Sequence, residues 1–538
     1  PPRSSPRARA AGLAGRAAGP ASASSPRPPF RWPGRTMSLF HDLLRVRQIY
    51  DAAMEGHGFF VTPKDLCRML RRGGSDKVVE TPAQAAKAEQ ASVAKSSSGA
   101  LPARWTVVDR QVLDLDRVAA LGAQGHPGGR AVLALADGRD ATVLFHSVHA
   151  LSAASAVEQW RKRCVVGAVE DFPRALAACA AAGPPGEAGA FDWGAEQSPF
   201  AKDLRGRVKA YFAERASAQG VSAREAAKAP AWKWCLILAL WTWYLASVAA
   251  WLQGRWFALL SLPAAGALAT FHTFHDASHG GLSARAWVNE ALSFAGFLIA
   301  APHEWRWQHI HGHHSFTNIS SLDPDSKHAN RWVNADPDEW RPPLWLVPAV
   351  WAVAVPVGLQ GLASARYLRH CAGDAAPGGE VPPRPSAASV AALVVHRLVF
   401  LVLPVARFGL AWGALWAAVP AAIFSLLFML NTQLAHLNGV ADGDGPRRSR
   451  CWYRHQLATT ANLAPQSRLH WLLSGGLNLQ VEHHLFPSVD HSHLPALRRV
   501  VEATCAEHGV EVHILAGYAD GLRSHFRHLQ GDSGAASP

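Results

Sequence analysis

The chain has 538 residues, 49% hydrophobic, with 21 tryptophans and a formal net charge of +13. Its length predicts at least two domains, and its charge, with no nucleic-acid motif or aromatic-interleaved basic stripe, excludes nucleic acid as a partner and reads instead as basic loops and interfacial tryptophans at an anionic membrane surface. The seven cysteines, Cys67, Cys164, Cys179, Cys235, Cys371, Cys451 and Cys505, form no CxxC pair, which excludes a zinc knuckle or a disulfide framework and points to a reducing compartment.

Residues 1–36 hold seven arginines, eight prolines and no acidic residue. Such a leader cannot build a packed core, and it reads either as a plastid or mitochondrial transit peptide or as translated sequence upstream of Met37. Residues 37–100 carry a helix-like stretch from Phe40 to Met54 and end in an Ala/Lys/Ser-rich linker, with no function assigned. From Trp105 the alternation Trp-Thr-Val-Val-Asp-Arg-Gln-Val-Leu-Asp-Leu predicts paired strands. There follow His126-Pro127-Gly128-Gly129 and then Asp140-Ala-Thr-Val-Leu-Phe-His146-Ser-Val-His149. Proline and two glycines hold a turn that presents His126 to a flat cofactor. On these motifs residues 101–170 resemble a cytochrome b5 domain, a small α+β fold. The resemblance implies haem b held between His126 and a second histidine; His146 and His149 both stand within one helical turn, and the nine-residue spacing from Asp140 favours His149.

Residues 171–232 read as a linker and amphipathic segment, basic from Lys202 to Lys233. Residues 233–525 read as an all-α membrane domain with about four transmembrane helices, and 526–538 as a disordered tail. Uncharged stretches at Trp234–Gly254 and Trp256–Phe274 have the length that crosses ~30 Å of hydrocarbon. Pro342–Ala365 and Phe408–Ala435 are expected to cross as well. Ala291–Pro302 is short enough to be re-entrant or interfacial, and Ser386–Ala406, interrupted by His396 and Arg397, is expected to be interfacial. Arg366, Arg369 and His370 would then face the opposite side, against the positive-inside tendency.

With four crossings, three histidine clusters fall on one side: His275-Asp-Ala-Ser-His279, His309-Ile-His-Gly-His313-His314, and Gln480-Val-Glu-His483-His484. On an α-helix an i,i+4 pair projects from one face toward a single ion, which pairs His275 with His279 and His309 with His313. His314 sits ~100° further round and reaches toward a second ion. Ionisable side chains beside membrane spans default to a functional reading, and a two-metal site follows.

These clusters, with Gln308-His-Ile-His-Gly-His-His-Ser-Phe-Thr-Asn318 and Gly475-Gly-Leu-Asn-Leu-Gln-Val-Glu-His-His-Leu-Phe-Pro487, resemble the three boxes of the front-end fatty acyl desaturases, which also carry a fused b5 domain. Gln480 in place of the third box's first histidine is that family's mark. The resemblance implies a non-haem di-iron centre that uses O2 and two electrons to place a cis double bond between an existing one and the carboxyl end of a polyunsaturated acyl chain, carried on CoA or glycerolipid. It implies His275, His279, His309, His313, His314, His483 and His484 as catalytic iron ligands, His436 as a further ligand outside the boxes, and Gln480 as a weak ligand or a partner of one. Asp276 and Glu482 are expected to orient histidines; His272, His303 and His311 are expected to be bystanders. An unactivated C–H bond offers no handle to acid–base catalysis, so a redox metal must act, and imidazole suits iron. No Gly-rich motif follows a strand, so electrons are expected from a separate NAD(P)H-cytochrome b5 reductase, through the fused haem. The second box leans toward Δ5 or Δ4 selectivity, then Δ6 or Δ8. The endoplasmic reticulum, with clusters and b5 domain cytoplasmic, is the expected location, or the plastid if the leader is a transit peptide. The rivals are a sphingolipid long-chain-base desaturase or hydroxylase and, outside enzymes, a haem-bearing membrane electron carrier.

Overall fold

The computed structural model describes residues 101–530 except 122–125, 177–190, 194–196, 297–301, 321, 327–328, 330–342, 360, 362–364, 366–384 and 442–448. The expectations for 1–36, 37–100, Arg366, Arg369 and His370 lie outside the described residues. Among the described residues Cys164, Cys235, Cys451 and Cys505 are free thiols.

The amino-terminal part is the expected small α+β domain. Strands β1 (Trp105–Val108) and β2 (Gln111–Asp114) pair antiparallel. Their two linking residues, Asp109 and Arg110, take φ of 50° and 59°, the turn that matches the right-handed twist of a hairpin. Strand β3 (Val165–Ala168) pairs on the other edge of β2. Trp105, Val107, Val112, Val169 and Phe172 form the core against this sheet. Helices α1 (Arg130–Ala136), α2 (Thr142–Val148) and α3 (Ala154–Cys164) complete the domain.

Helix α4 (Pro199–Gln219) starts on a Ser198 cap and stops at Gly220 in the left-handed conformation. Its apolar stripe of Phe200, Leu204, Val208 and Phe212 is buried with Leu497 and Val501 of the helix Leu494–Glu507. The membrane body follows. Helices α5 (Ala231–Leu252) and α6 (Ala258–Ala269) form a hairpin, and α6 runs on through π turns at Thr270–His275 to Ser278. Helix α7 (Ala387–Arg397) continues to Phe408 and turns at Gly409 into α8 (Leu410–Gln433). α6 lies between α5 and α8, buried through Ala258, Leu262, Ala265 and Ala269. Trp251 and Trp416 each donate an indole N–H to the other's carbonyl at 3.0 Å, locking α5 to α8.

Three described helices, Ala231–Leu252, Ala387–Phe408 and Leu410–Gln433, are long and apolar enough to cross a membrane. With α6 and its continuation they make a bundle of about four membrane-length helices, whose outward side chains, Leu238, Trp256, Leu260 and Leu410, are apolar as lipid requires. Ala387–Phe408, expected to be interfacial, is a 22-residue helix long and apolar enough to cross, with His396 buried against the Phe400 ring. The third expected span is helical over Leu344–Leu359 among the described residues, and is pinned to α8 where Val355 N–H donates to Ser425 Oγ at 2.9 Å. The carboxyl-terminal helix Tyr518–Leu529 also runs past the boundary expected at 525, with Leu529 buried.

Gly413 sits where α7 and α8 cross. A Cβ there would lie 2.4 Å from Val405 Cα and 2.5 Å from the Pro404 carbonyl oxygen, backbone atoms that cannot step aside. Gly413→Ala is therefore expected to cost about 1–3 kcal/mol, the range for overpacking, read as a lower unfolding temperature of the detergent-solubilised protein.

Candidate metal centre and haem site

The three histidine clusters converge. His275 leaves the π turns at the end of α6, and its ring centroid lies 4.8 Å from that of His279. The second box, Arg306–His313, is also wound as π-helix, a local form frequent at functional sites. This adds to the expected pairing, since His309 and His313 stay stacked with centroids 5.3 Å apart. A π turn brings residues five apart together, so His309 Nε2 meets His314 Nε2 at 3.2 Å. His275 Nε2 lies 3.1 Å from His309 Nε2, and His483 Nε2 lies 3.2 Å from His314 Nε2. His275, His279, His309 and His483 form one group able to hold an ion, and His313 joins His436 and His484 in a second while its ring stays stacked on His309. His314 bridges them, stacked on His484 at 4.2 Å. Gln480 lines the cavity between the groups with His275, His309, His313 and His436, and its Oε1 has no hydrogen-bond partner among the described residues.

A second layer decides which nitrogen each ring presents. His309 Nδ1 faces Asp325 at 3.4 Å, and His313 Nδ1 faces Asp323 at 3.0 Å. His436 Nδ1 faces the Thr459 carbonyl at 3.2 Å, and His484 Nδ1 the Gln456 Oε1 at 2.9 Å. Each of these partners accepts, so the ring proton sits on Nδ1 and a bare Nε2 lone pair points inward. His484 Nε2 and His279 Nε2 are buried with no partner among the described residues. Neutral, buried, inward-facing nitrogens in two groups fit a pair of metal ions, and an all-imidazole set suits iron.

The electrostatics agree. Burial, then neighbouring imidazoles, push His309, His314, His483 and His484 well below the ordinary histidine value, and burial pushes His436 down to about 3. Despite burial, His491 and Lys233 hold the Asp276 carboxyl far below its usual range. Asp276 Oδ1 pairs with His491 Nδ1 at 2.7 Å and Oδ2 with Lys233 Nζ at 3.0 Å. His491 Nε2 then meets His483 Nδ1 at 3.1 Å, so Asp276 reaches a third-box histidine through a residue not singled out in the sequence. Glu482, expected to orient a histidine, accepts from Asn462 Nδ2 at 3.0 Å instead, and burial raises it to about 7. His272 bonds the Leu472 carbonyl, His303 pairs with Glu304, and His311 stacks on Trp307.

Asp323, Asp325, Gln456 and His491 were not among the predicted residues. Asp323-Pro324-Asp325 follows the second box in a turn that packs on Gly312, where a Cβ would meet Pro324 Cδ at 2.7 Å. That glycine between histidines is the signal available in the sequence. His491 stands in Asp490-His-Ser-His493, a run without the box spacing.

In the small domain, the His126 and His149 rings have centroids 5.9 Å apart, room for one metal between nitrogens at ~2 Å each. His149 Nδ1 lies 2.7 Å from the Phe145 carbonyl, leaving Nε2 free to ligate. His146 is engaged elsewhere, with Nε2 2.8 Å from Asp109 and its ring stacked on Trp193 at 4.5 Å.

The profile of the fatty acid desaturase family matches residues 250–516, and that of the cytochrome b5-like haem/steroid binding domain matches residues 89–170. The chain thus carries a cytochrome b5-like domain followed by a fatty acid desaturase domain, an arrangement consistent with the cytochrome b5-fused front-end desaturases. Its relatives include a "Probable Delta(5) fatty acid desaturase C" of Dictyostelium discoideum, 26% identical over 79% of this chain and 91% of that protein. A "Delta(5) fatty acid desaturase A" of the same organism is 27% identical over 79% and 89%, and an "Acyl-lipid omega-13 desaturase" of Chlamydomonas reinhardtii is 25% identical over 77% and 90%. This desaturase is thus a membrane oxidoreductase of fatty acyl lipids with a haem-binding domain at its front.

Two outcomes follow. Asp323→Ala removes the acceptor that fixes His313, and iron affinity is expected to fall ~10–100-fold, measured as iron retained against a competing chelator with haem absorbance unchanged. In the metal-free protein, the depressed histidines stay neutral while the unfolded chain takes up protons below ~6.5. Its stability is therefore complete above that value and is lost as pH falls from there toward about 3, the His436 value. His313, held above its ordinary value by Asp323 and Asp325 against the effect of burial, opposes this, as do Glu482, raised to about 7, and Asp325 and Asp490, raised to about 6, but these are fewer than the depressed histidines. A thermal unfolding series on chelated protein is expected to show the midpoint dropping between about pH 7 and pH 5.

Proposed function

We propose that this desaturase is a front-end enzyme of polyunsaturated acyl chains, with His275, His279, His309, His313, His314, His436, His483 and His484 holding two iron ions and His126 and His149 holding haem b. The observation that carries the reading is the pair of buried imidazole groups whose proton-bearing nitrogens are tied back to Asp325, Asp323, Thr459 and Gln456. Overall, –CH2–CH2– plus O2, two electrons and two protons gives –CH=CH– plus two waters. Bound iron supplies the O2 chemistry that no side chain here can provide, and haem supplies electrons singly.

The chain's own residues do the rest. Asp323 and Asp325 hold His313 and His309 in the ligand tautomer. His491, whose Nδ1 is tied to the Gly475 carbonyl at 2.7 Å beside Asp276, meets His483 Nδ1 from the far side. Gln456 ties the boxes together, with Oε1 at His484 Nδ1 and Nε2 donating to the His314 carbonyl at 3.0 Å. Gln480, with an unpartnered Oε1 at the cavity between the groups, is a weak ligand or a donor and acceptor to one. Helices apolar all round place this site at the end of a lipid-embedded bundle, where an acyl chain arrives from the bilayer rather than from water.

Electrons come from a separate NAD(P)H-cytochrome b5 reductase, the acyl carrier is glycerolipid or CoA, and the clusters face the cytoplasm from the endoplasmic reticulum. Two Dictyostelium relatives are named Delta(5) desaturases, which favours Δ5 selectivity. Yeast expressing the chain and fed single C18 to C22 polyunsaturated acids should yield a new double bond on the carboxyl side of an existing one, located by gas chromatography with mass spectrometry. His483→Ala should abolish that product with the haem spectrum intact, and His126→Ala should remove the haem spectrum. Absence of any new double bond in protein that carries both haem and iron would overturn the reading.

A further inference from the structure

Two aromatic rings of the second box belong to neither imidazole group. Trp307 and His311 are buried, and both lie on the side of the box that faces the small domain. The Trp307 indole has the Arg139 guanidinium over its ring at 4.1 Å and the His311 ring stacked on it at 4.5 Å with planes 21° apart. Arg139 belongs to the small domain, in the turn between α1 and α2. Around this stack Leu135, Ala141 and Leu144 of the small domain pack with Trp307 and Ile310. Further along, Val143 of α2 and Phe316 share a second apolar cluster.

α1 begins just after His126, and α2 ends just before His149. Both helices that flank the haem histidines therefore rest on Arg306–Phe316, the segment that also carries His309, His313 and His314. The turn after His126 is held as well, since Arg224 Nη2 donates to the Pro127 carbonyl at 2.8 Å. A half-buried cation over a buried indole is a directional contact that adds to apolar packing, and it fixes register where a greasy patch would slide. Docking in one pose keeps the electron-transfer distance short, and transfer rates through protein fall steeply with distance.

We propose that the Arg139–Trp307–His311 stack is the device that docks the haem domain on the second histidine box and sets the rate at which electrons reach the metal centre. This rests on the desaturase reading above. Each transfer leaves a ferrous haem ferric and delivers one electron; two transfers match one O2 and one double bond. Trp307 and Arg139 are positioning residues, since neither lies in a ligand group.

The test uses the full chain loaded with haem and iron in lipid nanodiscs containing its substrate. The haem is reduced, O2 is added, and the substrate-dependent rate of haem reoxidation is followed by absorbance, alongside hydrogen exchange over residues 142–148. Trp307→Ala and Arg139→Gln are expected to slow reoxidation at least tenfold and to speed exchange, with the haem spectrum and iron content of the wild type. Trp307→Phe, which keeps a ring for Arg139, is expected to recover most of the rate. Arg139→Gln lies outside the box and guards against a folding failure of Trp307→Ala. Wild-type reoxidation and exchange in both variants would overturn the dock. A wild-type protein that shows no substrate-dependent reoxidation would overturn the desaturase reading instead, and the exchange contrast would still decide the dock by itself.

Discussion

Eight imidazoles share one buried space, and charge is disfavoured on seven of them, the exception being His313, which Asp323 and Asp325 hold above its ordinary value. Much else in the molecule serves that constraint. Burial and mutual repulsion strip the ring protons that could make them cationic. The remaining proton is then assigned by an outer layer of acceptors, Asp325, Asp323, Thr459 and Gln456. Carboxylates thus stand one layer behind the imidazoles, shaping neutral ligands without adding negative charge among them. A neutral ligand set leaves bound metal electron-poor, which suits oxidation of an unactivated hydrocarbon.

Holding such a layer in place needs rigid backbone at close quarters. Gly312 lets the Asp323-Pro324-Asp325 turn lie directly on the second box. The π turns at Thr270–His275 and Arg306–His313 re-aim histidines that a regular helix would point differently. Below them, the reciprocal Trp251 and Trp416 bonds and the Gly413 crossing bind α5, α7 and α8 into one frame. A buried Lys233–Asp276 pair ties the start of that frame to the first box, and through His491 to the third. The cost of burying that carboxylate is offset because both of its oxygens are engaged by cations or potential cations.

The haem domain is not a loosely tethered donor. Among its contacts are those on the second box, where Trp307 and His311 belong to neither metal group. His311 is therefore a bystander to the metals and a participant in docking. His149 rather than His146 faces His126 because Asp109 and Trp193 hold the His146 ring elsewhere.

What could be read from residues alone was whatever depends on local order. Alternation announced the hairpin at Trp105–Asp114, apolar length announced the bundle, and the three boxes with Gln480 announced the desaturase chemistry. Reading failed where partners are distant or where backbone departs from the α-helical period. An i,i+4 rule paired His309 with His313, whose rings do stack, but it did not show that π winding also joins His309 to His314 or that His313 meets His436. Charge on Ser386–Ala406 argued against a membrane-length helix, yet His396 turns inward to Phe400. His491 and Gln456 carry no signal of spacing, because their roles arise from contacts with residues 276, 483, 484 and 314 that only chain folding creates. The sequence by itself determined which atoms can bind metal and haem; the tertiary structure decided which nitrogen each ring offers, because a tautomer is chosen by whatever acceptor the fold brings to its other side.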